Sequence, residues 1–258
     1  MIAILRRILT AGLLAGLVAG IAFTAVQQVK VVPLILAAEV YETGEAESAP
    51  AHSHDGAVGA HDHGAAHAHD ADAWSPADGA ERIAYTVLAN ILTGVGYGCI
   101  LVAGMVFAGR ALDWRRGLLW GLAGFAAFAV APALGLPPEL PGMAAADLAG
   151  RQLWWVATAL ASLAGLGLIV FAPLPTKGAK FRVAAVAAGV ALILLPHVIG
   201  APEHAAEAGA VPAELAARFA IASLIAQAVF WAVLGALAGH LLGRALPAPA
   251  KLVQPAAA

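Results

Sequence analysis

The chain has 258 residues, 61% of them apolar and only 12% charged, with a net charge of -2. Soluble domains carry about 25% charged residues, so this composition excludes an ordinary soluble domain and selects a polytopic membrane protein. The one cysteine, Cys99, lies inside an apolar run, which excludes a disulfide framework and a Cys-type zinc site.

Six apolar stretches are long enough to cross a bilayer, at about 8–29, 83–109, 117–136, 152–172, 182–199 and 219–243. They are continuous and lack the alternation of barrel strands, so they read as helices. The first follows Arg6-Arg7, a signal-peptide-like start, but no small-x-small cleavage site stands out after Thr24. We expect it to be retained; cleavage would leave five spans with the same loop orientation. Gly12, Gly16 and Gly20 recur at every fourth residue in this span, and Gly235, Gly239 and Gly243 do the same in the last. Such spacing puts a glycine groove on one helix face, for packing within the bundle or against a partner's helix. Gln27 and Gln28, inside the first apolar region, are expected to hydrogen-bond between helices.

Between the first two spans lies a polar tract, residues 51–72, with six of the nine histidines. His52, His54, His61, His63, His67 and His69 form three His-x-His pairs, with Asp55, Asp62, Asp70 and Asp72 among them. Imidazole is a usual ligand for first-row metals, and carboxylates can complete the shell. Glycine and alanine spacers cannot hold a rigid coordination sphere, so the tract reads as a flexible metal collector. We expect residues 44–80 to be a disordered loop within a single membrane domain, 1–258.

The remaining loops sort by charge. Arg6, Arg7, Arg110, Arg115, Arg116, Lys177, Lys180, Arg182, Arg244 and Lys251 fall on one side with a single acid, Asp113. Lys30, Arg82, Arg151 and Arg218 fall on the other with the fifteen remaining acids. Lys/Arg excess marks the cytoplasmic face, so both termini are expected inside and the histidine tract outside.

The first, third and fifth spans end alike, in "VVPLILAAE", "APALGLPPE" and "LLPHVIGAPE". Each places a glutamate (Glu39, Glu139, Glu203) six or seven residues after a proline. "DLAGR" and "ELAAR" then open two returning helices, where Asp147/Arg151 and Glu214/Arg218 sit at i,i+4 spacing suited to ion pairs. The expected fold is all-α: a bundle of about six transmembrane helices in three hairpins. Proline frees carbonyls near a span's end, so oxygen ligands would gather with the glutamates at the outer mouth. His197, at the end of the fifth span, and Glu39, Glu139 and Glu203 are therefore candidate metal ligands beside the six loop histidines. Glu42 would add to the same acidic vestibule. His240, at the opposite end, reads first as an interfacial anchor and second as an exit-side ligand. Trp114, Trp120, Trp154 and Trp155 read as interfacial belt residues. No phosphate-loop or hydrolase word occurs, so no catalytic residue is expected and the chain is not expected to be an enzyme.

The stretch "LRRILTAGLLAGLVAGIAFTAVQQVKVVPLILAAEVYE", with "APALGLPPELPG", "AADLAGRQLWW" and "LPHVIGAP", resembles the CbtA family of proposed cobalt transporter subunits. The resemblance covers most of the chain from Leu5 to about Pro202. It rests on Gln28, Pro33, Glu39, Glu42, Pro138, Glu139, Arg151, Trp155, Pro196 and His197. It implies a bacterial inner-membrane protein taking part in cobalt uptake, with a small single-span CbtB-like subunit as partner. The family is described with about five spans, from which the six-span reading departs. The expected role is a permease subunit for a divalent transition metal, with Co²⁺ as cargo and no prosthetic group. Nickel and zinc stay open, because residue spacing does not separate them from cobalt. A metal-capture accessory of a separate permease and a metal-dependent assembly factor are the alternatives. No nucleic-acid surface is expected, and a homo-oligomer is compatible with the pattern.

Overall fold

The computed structural model describes residues 2–48, 76–109, 112–172, 179–202 and 210–246. Among them, six helices are long and apolar enough to cross a membrane. In chain order the helices are α1 (Ile2–Lys30), α2 (Val32–Ser48), α3 (Ala80–Phe107), α4 (Trp114–Phe125), α5 (Ala131–Ala133), α6 (Leu148–Phe171), α7 (Ala179–Ile199) and α8 (Ala213–Ala245). A π-helical turn, Ala126–Val130, joins α4 to α5, and the three make one span. Pro132 supplies no N–H, and the backbone before it widens: the Ala131 N–H donates to the Ala126 carbonyl, five residues back.

All six expected spans are present, with ends shifted by a few residues. After α1 the chain barely pauses. Pro33 sits in the first turn of α2, and α2 runs on to Ser48, through the first residues of the expected loop. The six histidines of that loop lie outside the described residues.

On α1 small residues face inward and large ones outward, the inverse of a soluble helix. The buried face of α1 is Ala11, Gly12, Ala15, Gly16, Ala19, Gly20 and Thr24, while Leu9, Leu13, Leu17 and Ile21 are exposed to the surroundings. Lipid is as apolar as leucine, so burying leucine gains little; close backbone approach gains dispersion and weak hydrogen bonds instead. A Cβ on Gly16 would overlap the Gly94 carbonyl, and one on Gly20 would come within 2.6 Å of the Asn90 carbonyl. The last-span glycines do the same with α4: Gly235 and Gly239 meet Gly117 and Gly121. Both expected glycine grooves are thus filled from within the chain. Their partners, Gly94 and Gly98 on α3 and Gly117 and Gly121 on α4, repeat at the same four-residue spacing.

Packed spans run antiparallel, but the three expected hairpins do not all close: α7 and α8 make next to no contact. Only the first, α1 with α3, is held by its own broad interface. The sixth span, α8, packs on α4 and α1 instead of on α7, because its glycine face matches theirs. Helices α1, α3, α4 and α8 therefore form a four-helix core around Val102, Met105, Leu234 and Leu242. At its centre Tyr97, Phe128, Phe230 and Trp231 interlock, Phe128 stacking on Trp231 at 5.5 Å. Gly124 leaves room for the Trp231 ring. Helix α7 touches this core hardly at all and packs on α6.

Candidate functional site

The two ends of the bundle differ chemically. At one end the Arg7 guanidinium donates to the Ala245 carbonyl (3.1 Å), and Gly243 lies against Leu112. That end gathers Arg6, Arg7, Arg115, Arg116 and Arg244. His240 stands half-buried on α8 close by. Asp113 caps α4 there, accepting from the Arg115 and Arg116 N–H groups at 2.8 and 3.0 Å. The Arg116 N–H above all, with that of Arg115, holds the Asp113 carboxyl below its ordinary value.

The opposite end carries the candidate ligands. Ala38 and Leu140, neighbours of Glu39 and Glu139, share one apolar cluster with Phe219 and Val31. Both glutamates are engaged by arginine. Arg82, in the first turn of α3, meets Glu39 at 2.8 Å. Arg151, in the first turn of α6, meets Glu139 at 2.7 Å. The two pairs differ in setting: the Glu39 side chain is 38% exposed and Glu139 only 7%. The expected Asp147/Arg151 pair does not form. Asp147 caps α6 by accepting from the Gly150 N–H at 2.8 Å, which frees Arg151 to reach across the loop. Glu214 and Arg218 likewise form no ion pair. The recurring proline–glutamate ending is thus realised twice as a glutamate bound by an arginine of the returning helix.

His197, in the last turn of α7, packs against the Trp154 ring at 5.8 Å in an edge-to-face arrangement. Its buried Nε2 has no hydrogen-bond partner among the described residues. Trp154 is 8% exposed and also fills the space beside Gly135, so it is an inter-helix residue and not part of a lipid-facing belt. Trp114, 51% exposed and stacked under Arg115, keeps the belt character. Glu203 and the six loop histidines lie outside the described residues, as does the Glu42 side chain. Among the described residues no three His, Cys, Asp or Glu side chains converge on one point.

A polar cluster inside the core has a member that the sequence pattern did not single out. Asn90 donates to Gln27 Oε1 at 2.6 Å and to Thr24 Oγ1 at 3.0 Å, tying α3 to α1. Gln27 therefore bridges helices as expected. The lone asparagine in "VLANIL" was the available signal for its partner.

The chain matches no curated protein and no solved structure. Residues 5–243 match the family model described as "Probable cobalt transporter subunit (CbtA)". That is nearly the whole chain, and it includes both glutamate–arginine pairs, the His197–Trp154 contact and all six spans. The chain belongs to the CbtA family of probable cobalt transporter subunits.

Proposed function

We propose that this chain is the membrane permease subunit that moves a divalent transition metal, cobalt first, inward across the bacterial inner membrane. The family match carries the metal and the transport role. The segregation of charge supports the direction. Five arginines at one end mark the cytoplasmic side by the positive-inside tendency, which puts Glu39, Glu139 and His197 at the outer end, with residues 51–72 and Glu203 joined to it. The histidine tract would concentrate the ion, and the outer end would receive it. A membrane potential of 100 mV, inside negative, favours the inward step by about 2.3 kcal/mol per charge. The word subunit in the family description favours a second membrane component, which we take to be a small single-span CbtB-like protein. The chain itself is proposed to be non-enzymatic and to hold no prosthetic group.

The test is cobalt and nickel uptake into liposomes holding the purified chain, with and without that partner. A permease subunit admits cobalt in at least one of the two preparations. Metal bound to the chain without uptake in either preparation makes it an accessory that delivers metal to a separate permease. Deleting residues 51–72 is expected to raise the cobalt concentration needed for half-maximal uptake and to leave the maximum nearly intact. Complete loss would show that the tract belongs to the route itself.

A further inference from the structure

The seam between α6 and α7 contains a row of polar atoms without a hydrogen-bond partner among the described residues. Thr158 Oγ1, Ser162 Oγ, Trp154 Nε1 and His197 Nε2 are all buried and unpartnered. Thr158 is 0% exposed and Ser162 2%. Residues 154, 158, 162 and 165 share one face of α6. Two of them touch α7 directly: Trp154 meets His197, and Gly165 meets Gly189 and Ile193. The antiparallel register puts Thr158 and Ser162 between those two contacts. Pro196 lies inside α7 and offers no N–H to the Leu192 carbonyl, four residues back, at the same level of the seam.

Membrane helices ordinarily hide a threonine hydroxyl on the carbonyl four residues earlier. Thr10, Thr24 and Thr86 do so here, at 2.7, 2.9 and 2.8 Å from the Arg6, Gly20 and Arg82 carbonyls. Thr158 and Ser162 do not, although the same helical acceptors stand behind them. An unsatisfied polar group at membrane depth is costly, and a row of them facing one way marks a substrate pathway before it marks a packing surface. The chemistry of the row suits a cation: an imidazole nitrogen for direct coordination, and hydroxyl and carbonyl oxygens that accept hydrogen bonds from its water ligands. The Trp154 N–H, a donor only, cannot ligate; its ring edge orients His197.

We propose that the α6–α7 seam is a transit site for a partly hydrated divalent transition-metal ion, with His197 Nε2 as its direct ligand and Thr158 Oγ1 and Ser162 Oγ holding its waters. The inference rests on the transport reading and deepens it, routing the ion beside the four-helix core and not through it. A single imidazole without a carboxylate binds weakly, as a transit site must so that the ion can leave.

The test uses the full chain in lipid nanodiscs with Cys99→Ala as background. Thr158→Cys and Ser162→Cys are expected to react with a cationic, membrane-impermeant methanethiosulfonate. Ala159→Cys, as buried as Ser162 but on the neighbouring core-facing stripe, is expected not to. Cobalt chloride should slow both reactions, by about tenfold at roughly ten times the dissociation constant of the site, and His197→Gln should abolish that protection. No reaction at either position, or reaction indifferent to cobalt, overturns the site. Protection that survives His197→Gln belongs to the introduced thiols and also overturns it. In liposomes, Thr158→Val/Ser162→Ala should lower cobalt uptake about tenfold. Wild-type uptake in that variant would remove the seam from the route and leave the transport reading standing. If the unaltered chain, with its partner, carries no cobalt, the transport reading falls and the labelling result alone decides the seam.

Discussion

The four-helix core and the α6–α7 pair solve the same problem differently. Both bring helix backbones together at glycine: Gly16 with Gly94 and Gly117 with Gly235 in the core, Gly165 with Gly189 in the pair. In the core the Thr24, Gln27 and Asn90 side chains are paired with one another. Thr24 bonds Gly20 and Asn90, and Asn90 bonds Gln27. In the pair, Thr158, Ser162 and His197 have found none. α7 buries only Gly189 and Pro196, whereas α8 buries nine residues along its length. A region so lightly packed, with its polar atoms unspent, is where a membrane protein can move or bind; a saturated glycine-zipped core holds its shape.

Four changes break or sharpen this contrast. Gly16→Leu should be the most damaging, because the Gly94 backbone cannot yield. We expect a loss at the upper end of the roughly 1–3 kcal/mol range of overpacking, read by unfolding in mixed detergent micelles. Gly96→Leu, with open space where its Cβ would stand, should be nearly silent in the same assay. Helix propensity favours leucine at both positions, so equal losses would show that backbone contact at Gly16 does not set the core's stability.

Arg151→Ala should cost about 2 kcal/mol, since it takes the arginine from the nearly buried Glu139 carboxylate, discounted for the partial exposure of Arg151. Arg82→Ala, beside the more exposed Glu39, should cost no more than about 1 kcal/mol. Thermal unfolding of both variants ranks them: equal costs would mean that the two outer pairs are equally solvated, and a reversed order that Glu39 is the less solvated.

Asn90→Leu should cost about 1 kcal/mol by freeing Gln27 and Thr24. Amide exchange in α1 and α3 should rise while α6 and α7 stay unchanged. A rise in all four would mean that the two regions unfold as one unit.

The smallest effect concerns pH at the arginine end. The Asp113 carboxyl is held below its ordinary value, so its cap is fully present above the ordinary carboxylate range. The cap is lost as pH falls through the lowered value. Acidification should therefore loosen the first turn of α4 in the parent chain and do little in Asp113→Asn. Identical acid profiles would show that the cap contributes nothing.

Much of this architecture was legible from local pattern. The six spans follow from apolar run length, and the glycine faces from four-residue spacing. The glutamates were located by their recurrence after proline, but not their partners. Asp147 and Glu139 are both acids within reach of Arg151 in sequence. Helix geometry alone favours Asp147, yet Asp147 is consumed as a cap, a competition visible only once the start of α6 is placed. Trp154 read as a belt residue because tryptophan at a span's start usually faces the interface. Gly135, far away in sequence, makes the hole that takes it in.

The sequence by itself determined that this chain has six segments long and apolar enough to span a membrane, which of its loops are basic, and that six histidines crowd one polar tract. Each of those is a property of a continuous segment, set by hydropathy, charge and composition. Only the tertiary structure decided that α8 closes on α4 and α1, that Glu39 and Glu139 each bind an arginine, and that Thr158, Ser162 and His197 share one seam. Those are properties of pairs of surfaces. In lipid, where apolar burial does not choose between partners, backbone-to-backbone fit at glycine and the placing of a few polar atoms make the choice.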